Sequence, residues 1–198
     1  MSEKSSLAQA RAFWWQRQAL ASRSGEVADT LAASGWLRTL GGADVYIAAR
    51  ARKPTMKRSE LDSAVERGEL RVSPAARGCI YLVPSAVVPD LMAFNEEDWR
   101  KDTEKSLAKI GKTTQVIEEF APAVLEALAK PLTTDGVRKQ LGGNIPSFGE
   151  AGKAAGLSSP LPLALRMLEL AGKIERTLEG GKLDSDRYVW RKISGKRK

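Results

Sequence analysis

Apolar positions recur every three or four residues along most of the chain and give way in two places to short β-branched runs. From Ser6 to about Arg23, "SLAQARAFWWQRQALASR" sets Leu7, Ala10, Trp14, Gln18 and Ala21 on one stripe and predicts a first helix. Adjacent helical residues point to different sides, so the pattern places one of Trp14 and Trp15 in a core and leaves the other partly exposed. Stacking of either ring on a base is the alternative. Gly25 ends this run, and "EVADTLAASGW" predicts a short helix closed by Gly35. In "ADVYIAARARKP", Val45, Tyr46 and Ile47 favour a strand, while the alanines and the basic end before Pro54 favour a helix, which is the reading adopted. "KRSELDSAVERGE" predicts a helix capped by Ser59, with Leu61 and Val65 on its buried face and Gly68 as its stop. "LRVSP" and "RGCIYLVP" then read as a hairpin turning at Pro74–Ala76.

Residues 85–111 predict a connecting helical region, charged on most faces and solvent-exposed. Val116, Phe120, Val124 and Leu128 follow at fourfold spacing, and Pro122 among them predicts a kink or a fresh helix start. "PLTTDGVRKQLGG" predicts a short helix capped by Thr133 or Thr134 and ended by Gly142. Ser147 and Glu150 have capping-box spacing. Ser159 before Pro160 predicts another helix start, with Leu161, Leu165 and Leu168 lining one face up to Gly172. "KIERTL" and "RYVW" complete a hairpin with its tip at Gly180–Gly181. The order helix, helix, hairpin therefore occurs twice without a residue-by-residue repeat. The expected fold is mainly α with small β-hairpins (α+β), as tandem winged-helix modules. The expected domains are 1–94 and 113–193, a helical connector at 95–112 and a basic, disordered tail at 194–198.

Composition narrows the chemistry. The 198 residues are 42% apolar, enough for a real core, and carry 32 Lys and Arg against 24 Asp and Glu, a formal +8. Such an excess attracts phosphate backbones or anionic surfaces, although solvated surfaces carry it too. No window is long and apolar enough for a transmembrane span, the first thirty residues lack the apolar core of a signal peptide, and the single Cys79 has no disulfide partner. The expectation is a cytoplasmic protein, with nucleoid association open to it, and no membrane partner, no cofactor and no metal. With no histidine in the chain, the commonest general base and the commonest transition-metal ligand are missing.

The cations fall into two concentrations. Arg38, Arg50, Arg52, Lys53, Lys57 and Arg58 lie in a stretch whose only carboxylate before residue 59 is Asp44, and Arg17, Arg71 and Arg77 are candidates to join them in space. This is the stronger candidate for phosphate contact. Lys173, Arg176, Lys182, Arg187, Arg191 and Lys192 mark the second hairpin, where Glu175, Glu179, Asp184 and Asp186 offer partial balance. Charge reversal at Arg50 and Arg52 is therefore expected to weaken duplex binding more than reversal at Lys182 and Arg187, unless one of the first pair serves the carbonyls at its own helix end. The expected recognition helix, 160–171, offers only Arg166 and Glu169 on its polar face, which argues against base-specific major-groove reading. Cys79 reads as a small residue buried in a strand.

At Arg77–Pro84, "RGCIYLVP", the chain resembles the bacterial winged-helix DNA-binding family that includes the AlkZ/YcaQ-type DNA glycosylases. "RQAL" at 17–20, "IAARAR" ending at Arg52 and "SELDSAVERGEL" are similar to the family's preceding segments; "LEALAKPLTTDGVRKQL" and "LRMLELAGKIER" look like its second winged helix, a more generic pattern. The resemblance runs from about Arg11 to Lys192 and covers the N-terminal half to two-thirds of such proteins. It implies tandem winged helices that grip damaged DNA and, in the glycosylases, excise alkylated or crosslinked bases. The catalytic glutamine pair of those enzymes is absent: its place falls on Arg38, Thr39 and Leu40, or in a gap near Gly41–Gly42. Gln16–Arg17–Gln18 has the spacing but lies in the first helix, and Tyr81 and Cys79 stand where the family has histidine and threonine. Asp44 is the one carboxylate near the lost pair able to steady an oxocarbenium-like sugar. The leading expectation is a non-enzymatic or catalytically reduced, non-sequence-specific binder of double-stranded DNA, damaged or intact, related to DNA repair. The alternatives are a glycosylase using Asp44, and a winged-helix module that binds protein or regulates transcription.

Overall fold

A computed structural model describes residues 6–20, 25–39, 41–185 and 187–193. The chain is mainly helical with two small antiparallel sheets and divides into two units, each discontinuous in sequence. The first comprises Met1–Ser73, Ile80–Val88 and Gly180–Asp186; the second comprises Pro74–Cys79, Pro89–Glu179 and Arg187–Lys198. The basic tail expected at 194–198 lies outside the described residues.

The first unit opens with α1 (Leu7–Arg17), where Ser6 and Gln9 form a reciprocal capping box. This helix is shorter than its apolar stripe suggests. It ends at Arg17, Ala19 takes a positive φ of 55°, and residues 21–24 lie outside the described residues. No residue of α1 is buried, so the expectation that Trp14 or Trp15 enters a core is overturned: the two are 61% and 57% exposed. Helical periodicity orients a ring; it does not supply a surface for it to meet.

The unit continues through α2 (Val27–Ser34), β1 (Leu37–Arg38), α3 (Asp44–Arg52), α4 (Arg58–Glu66), β2 (Leu70–Pro74) and β3 (Ile80–Pro84). Leu31, Val45, Ala49, Leu61, Leu70 and Leu82, each at most 2% exposed, form its apolar interior. The alanines and the apolar i, i+4 pair Val45 and Ala49 settle the ambiguous segment as helix. The expected cap at Ser59 is wrong by two residues. Lys57 is the boundary residue, Ser59 is already helical, and no side chain caps this end. Gly68 takes φ 75° and stops the helix as expected. The sheet order is β1-β3-β2, so two residues that the sequence reading left unassigned, Leu37 and Arg38, pair with Leu82 and Tyr81.

The second unit contains most of α5 (Val88–Ala108), then α6 (Gln115–Ala127), β4 (Leu132–Thr133), α7 (Thr134–Leu141), α8 (Gly149–Ala154), α9 (Leu161–Leu170), β5 (Ile174–Leu178) and β6 (Tyr188–Lys192). Ile117, Val124, Leu161, Leu165, Ile174 and Trp190 are central to its core. α6 runs through Pro122 without the expected interruption. Pro122 and Glu118, four residues earlier, are both exposed, so water can take the carbonyl that proline leaves unpaired. Thr133 caps α7 by accepting from the Gly136 amide at 3.0 Å. The expected Ser147–Glu150 box is replaced by a Ser147 hydroxyl that accepts from the Gly149 amide at 3.1 Å, and Pro160, not Ser159, is the boundary residue of α9. The sheet order, β4-β6-β5, repeats the plan of the first sheet: a two-residue strand from between the helices pairs with the second strand of the hairpin.

Candidate nucleic-acid interface

Of the first basic concentration, Arg50, Lys57 and Arg58 come together. All three are exposed and border one shallow depression floored by Tyr46 and Leu61. Arg50 sits in the last turn of α3, where its charge suits the carbonyl end of the helix dipole. Lys57 and Arg58 stand at the start of α4, and the Arg58 guanidinium lies 5.1 Å from the centre of the Tyr46 ring. None of the three makes an ion pair in the structure among the described residues.

Tyr46 fixes this surface from below. Its hydroxyl donates to Asp62 Oδ1 at 2.7 Å and accepts from the Leu183 amide at 2.9 Å, while Asp62 Oδ1 also accepts from that amide at 3.1 Å. Burial first, and the bond to the Asp62 carboxylate second, push the Tyr46 hydroxyl well above its ordinary pKa. The tyrosine is thus a neutral floor at ordinary pH, held by its bonds to Asp62 and Leu183.

The other members of the concentration are used differently. Arg52 donates from Nε to Ser34 Oγ at 3.1 Å, from Nη1 to the Ala48 carbonyl at 2.8 Å and from Nη2 to Gln18 Oε1 at 3.0 Å. It serves its own helix end, and burial lowers its pKa. Lys53 lies 3.6 Å from Glu60 and lines a separate cleft of about 390 Å³ that also holds Glu26, Arg67 and Glu69. Arg38 is exposed on β1, opposite Tyr81 in register. Arg77 belongs to the second unit, at a hairpin tip where it takes φ 57°.

In the second hairpin, burial decides the fate of the charges. Glu169 is only 4% exposed, and both its oxygens accept from Arg176, at 2.7 Å and 2.9 Å. Glu169 also accepts from Arg166 at 3.3 Å, and Arg166 donates to the Gly78 carbonyl at 2.8 Å. Glu169 was expected on the polar face of its helix; it is the buried partner of two guanidiniums. Arg176 lies over the Trp190 ring at 4.6 Å. Glu175, also buried, takes Arg191 at 2.8 Å. Lys173, Arg187 and Lys192 are exposed, and Lys182, exposed as well, belongs to the first unit.

The residues weighed for chemistry are dispersed. Asp44 is exposed in the first turn of α3, with no capping hydrogen bond at that helix end. Thr39 is buried, its amide donating to the Ile80 carbonyl at 3.0 Å, and Leu40 lies outside the described residues. Gln18 is committed to Arg52, and Arg17 lies 5.7 Å from the centre of the Phe13 ring. Cys79 is half-buried, and Tyr81 meets Trp36 edge to face at 6.3 Å. The sequence reading placed one of Trp14 and Trp15 in a core, and what it missed is that both are exposed. The absence of any acidic residue from 6 to 20 was the available signal.

A solved structure, that of the Streptomyces sahachiroi DNA glycosylase AlkZ, superposes on this chain with a TM-score of 0.67 at 18% identity. The two share a fold. The likeness covers 96% of this chain and 50% of the AlkZ chain, so the protein spans about half the length of that structure. No protein-family model and no curated protein matches the sequence. Among the described residues, no helix is long and apolar enough to cross a membrane.

Proposed function

We propose that the protein binds double-stranded DNA by charge and shape, with little sequence preference, through two winged-helix modules. In the first module α2, α3 and α4 lead into the β2–β3 hairpin, with β1 as the third strand; in the second α6, α7 and α9 lead into β5–β6, with β4. The observation that carries the reading is the convergence of Arg50, Lys57 and Arg58, exposed and without ion pairs among the described residues, on one depression of the first unit. Three exposed cations without ion pairs among the described residues, gathered on one depression, suit phosphates of a backbone. α9 supports the absence of base reading, since its guanidinium and carboxylate are consumed by each other and by Arg176. The AlkZ likeness supports a place in DNA repair.

Titration of a random-sequence duplex of about 20 base pairs across salt concentrations tests the reading. The expected outcome is a linear fall of log affinity with log salt, a slope reduced by about 0.9 for each phosphate contact removed, and similar affinities for unrelated sequences. Binding insensitive to salt, or no binding at low salt, overturns it. Incubation with alkylated duplex is the companion measurement: base release abolished by Asp44→Asn would make the protein a glycosylase rather than a binder alone.

A further inference from the structure

The feature least accounted for is α1. Leu7, Phe13, Trp14 and Trp15 are 68%, 55%, 61% and 57% exposed, and the helix buries none of its eleven residues. A helix of this length is marginal in water without a packed face, because nucleation is costly and most helical stability in proteins comes from burial. Its capping box and the Gln18–Arg52 bond beyond its end hold its ends and leave its faces open. At 3.6 residues per turn, Phe13, Arg17, Ala10, Trp14, Leu7, Arg11 and Trp15 succeed one another round an arc of about 200°, while Ala8, Ala12, Gln16 and Gln9 occupy the remainder. Rings and guanidiniums are interleaved on one arc. Phe13 and Trp14 meet edge to face at 6.0 Å, and the Arg17 guanidinium lies over Phe13.

That interleaving selects the occupant. A helix lying in a lipid interface separates an apolar face from a charged one, and α1 does not. A second copy of the chain would bring Arg11 and Arg17 against their counterparts, with no carboxylate between residues 6 and 20 to offset them. Single-stranded nucleic acid offers a polyanionic backbone for the guanidiniums and unstacked bases for the rings, the combination on which sequence-tolerant single-strand binding rests. We infer that α1 is a binding platform for unpaired bases, with Trp14 and Trp15 as stacking residues and Arg11 and Arg17 as backbone contacts. The inference rests on the DNA-binding reading above for its class of ligand and extends it from intact duplex to single-stranded or opened DNA.

The test uses the full chain, an oligothymidylate of about 16 nucleotides and an intact duplex, followed by tryptophan fluorescence and anisotropy. Because α1 buries nothing, Trp14→Ala/Trp15→Ala should melt as wild type does. That variant is expected to lose at least about tenfold in affinity for the oligothymidylate, together with most of the tryptophan quenching, while duplex affinity changes by less than about twofold. Arg11→Gln/Arg17→Gln should lower the salt slope for the single strand by about 1.4. Unchanged single-strand affinity in the tryptophan variant overturns the inference. So does a concentration-dependent dimer that the variant abolishes, or a blue shift on anionic phosphatidylserine vesicles with no response to oligothymidylate. If the single strand binds and the duplex does not, the duplex reading fails and this one stands; if only the duplex binds, the reverse holds.

Discussion

The basic surface of α3 and α4 and the basic hairpin β5–β6 are both concentrations of cations in the sequence, and the fold puts those cations to different uses. In the first, exposed Arg50, Lys57 and Arg58 line a depression with no ion pair among the described residues. In the second, Arg176 and Arg191 are held by carboxylates, Glu169 and Glu175, that are themselves buried. A buried carboxylate must be compensated, so it captures the nearest guanidinium and withdraws it from any external partner. Counting cations therefore overstates the second region, and where the carboxylates are buried matters more than how many there are.

The most severe way to break the contrast is to remove the carboxylate that organises the second region. Glu169→Ala leaves Arg166 and Arg176, both largely buried, facing each other without a counter-charge, and should lower stability by about 3–5 kcal/mol in urea denaturation. If stability holds, the hairpin arginines are not structural and the contrast collapses. Next in size is the binding comparison. Arg50→Glu/Lys57→Glu should flatten the salt dependence of duplex affinity by about 1.8 in slope, whereas Lys173→Glu/Lys192→Glu, which alters only exposed cations of the second hairpin, should change it less. The opposite ranking would move the DNA-contacting surface to the hairpin.

Two smaller effects sharpen the first region. Arg52→Ala strips hydrogen bonds from Ser34, Gln18 and the Ala48 carbonyl and should cost about 1–3 kcal/mol of stability while leaving the salt slope of duplex binding as it is. A lowered slope would mean that Arg52 touches phosphate. Tyr46→Phe should cost about 1 kcal/mol, because the Leu183 amide keeps Asp62 when the hydroxyl is gone. Its pH dependence has a definite sign. The folded state raises the Tyr46 pKa, so the hydroxyl's contribution is complete below its ordinary value near 10 and is lost as pH rises through the higher folded value. Stability measured above pH 10 should therefore fall more steeply in wild type than in Tyr46→Phe.

Local chemistry made much of this molecule legible in advance. Gly35, Gly68 and Gly142 end helices, each at positive φ, because glycine adopts that backbone without a steric penalty. Thr133 caps because its hydroxyl reaches the Gly136 amide, one of the first-turn amides that have no carbonyl partner within the helix. Both hairpins follow from short β-branched runs set between turn residues, and the helical reading of 44–52 from its alanines and its basic end. These are interactions among near neighbours in the chain, which the sequence alone determines.

Tertiary structure decided the rest. β1 and β4 are two residues each, too short to carry a period, and exist because β3 and β6 come alongside from more than 40 residues away. Residues 74–79 and 180–186 each group with a unit other than that of most of their chain neighbours, so Arg77 and Lys182 do not belong to the units of the clusters their numbers suggested. Arg50 and Arg52 lie two residues apart on one helix; one is exposed and the other is tied to Ser34, Ala48 and Gln18. Trp14 and Trp15 carry the composition of a core and meet none. Whether a cation is free or a ring is covered depends on what the fold brings within a few ångströms of it, and that proximity is a property of packing between distant segments, which no local pattern encodes.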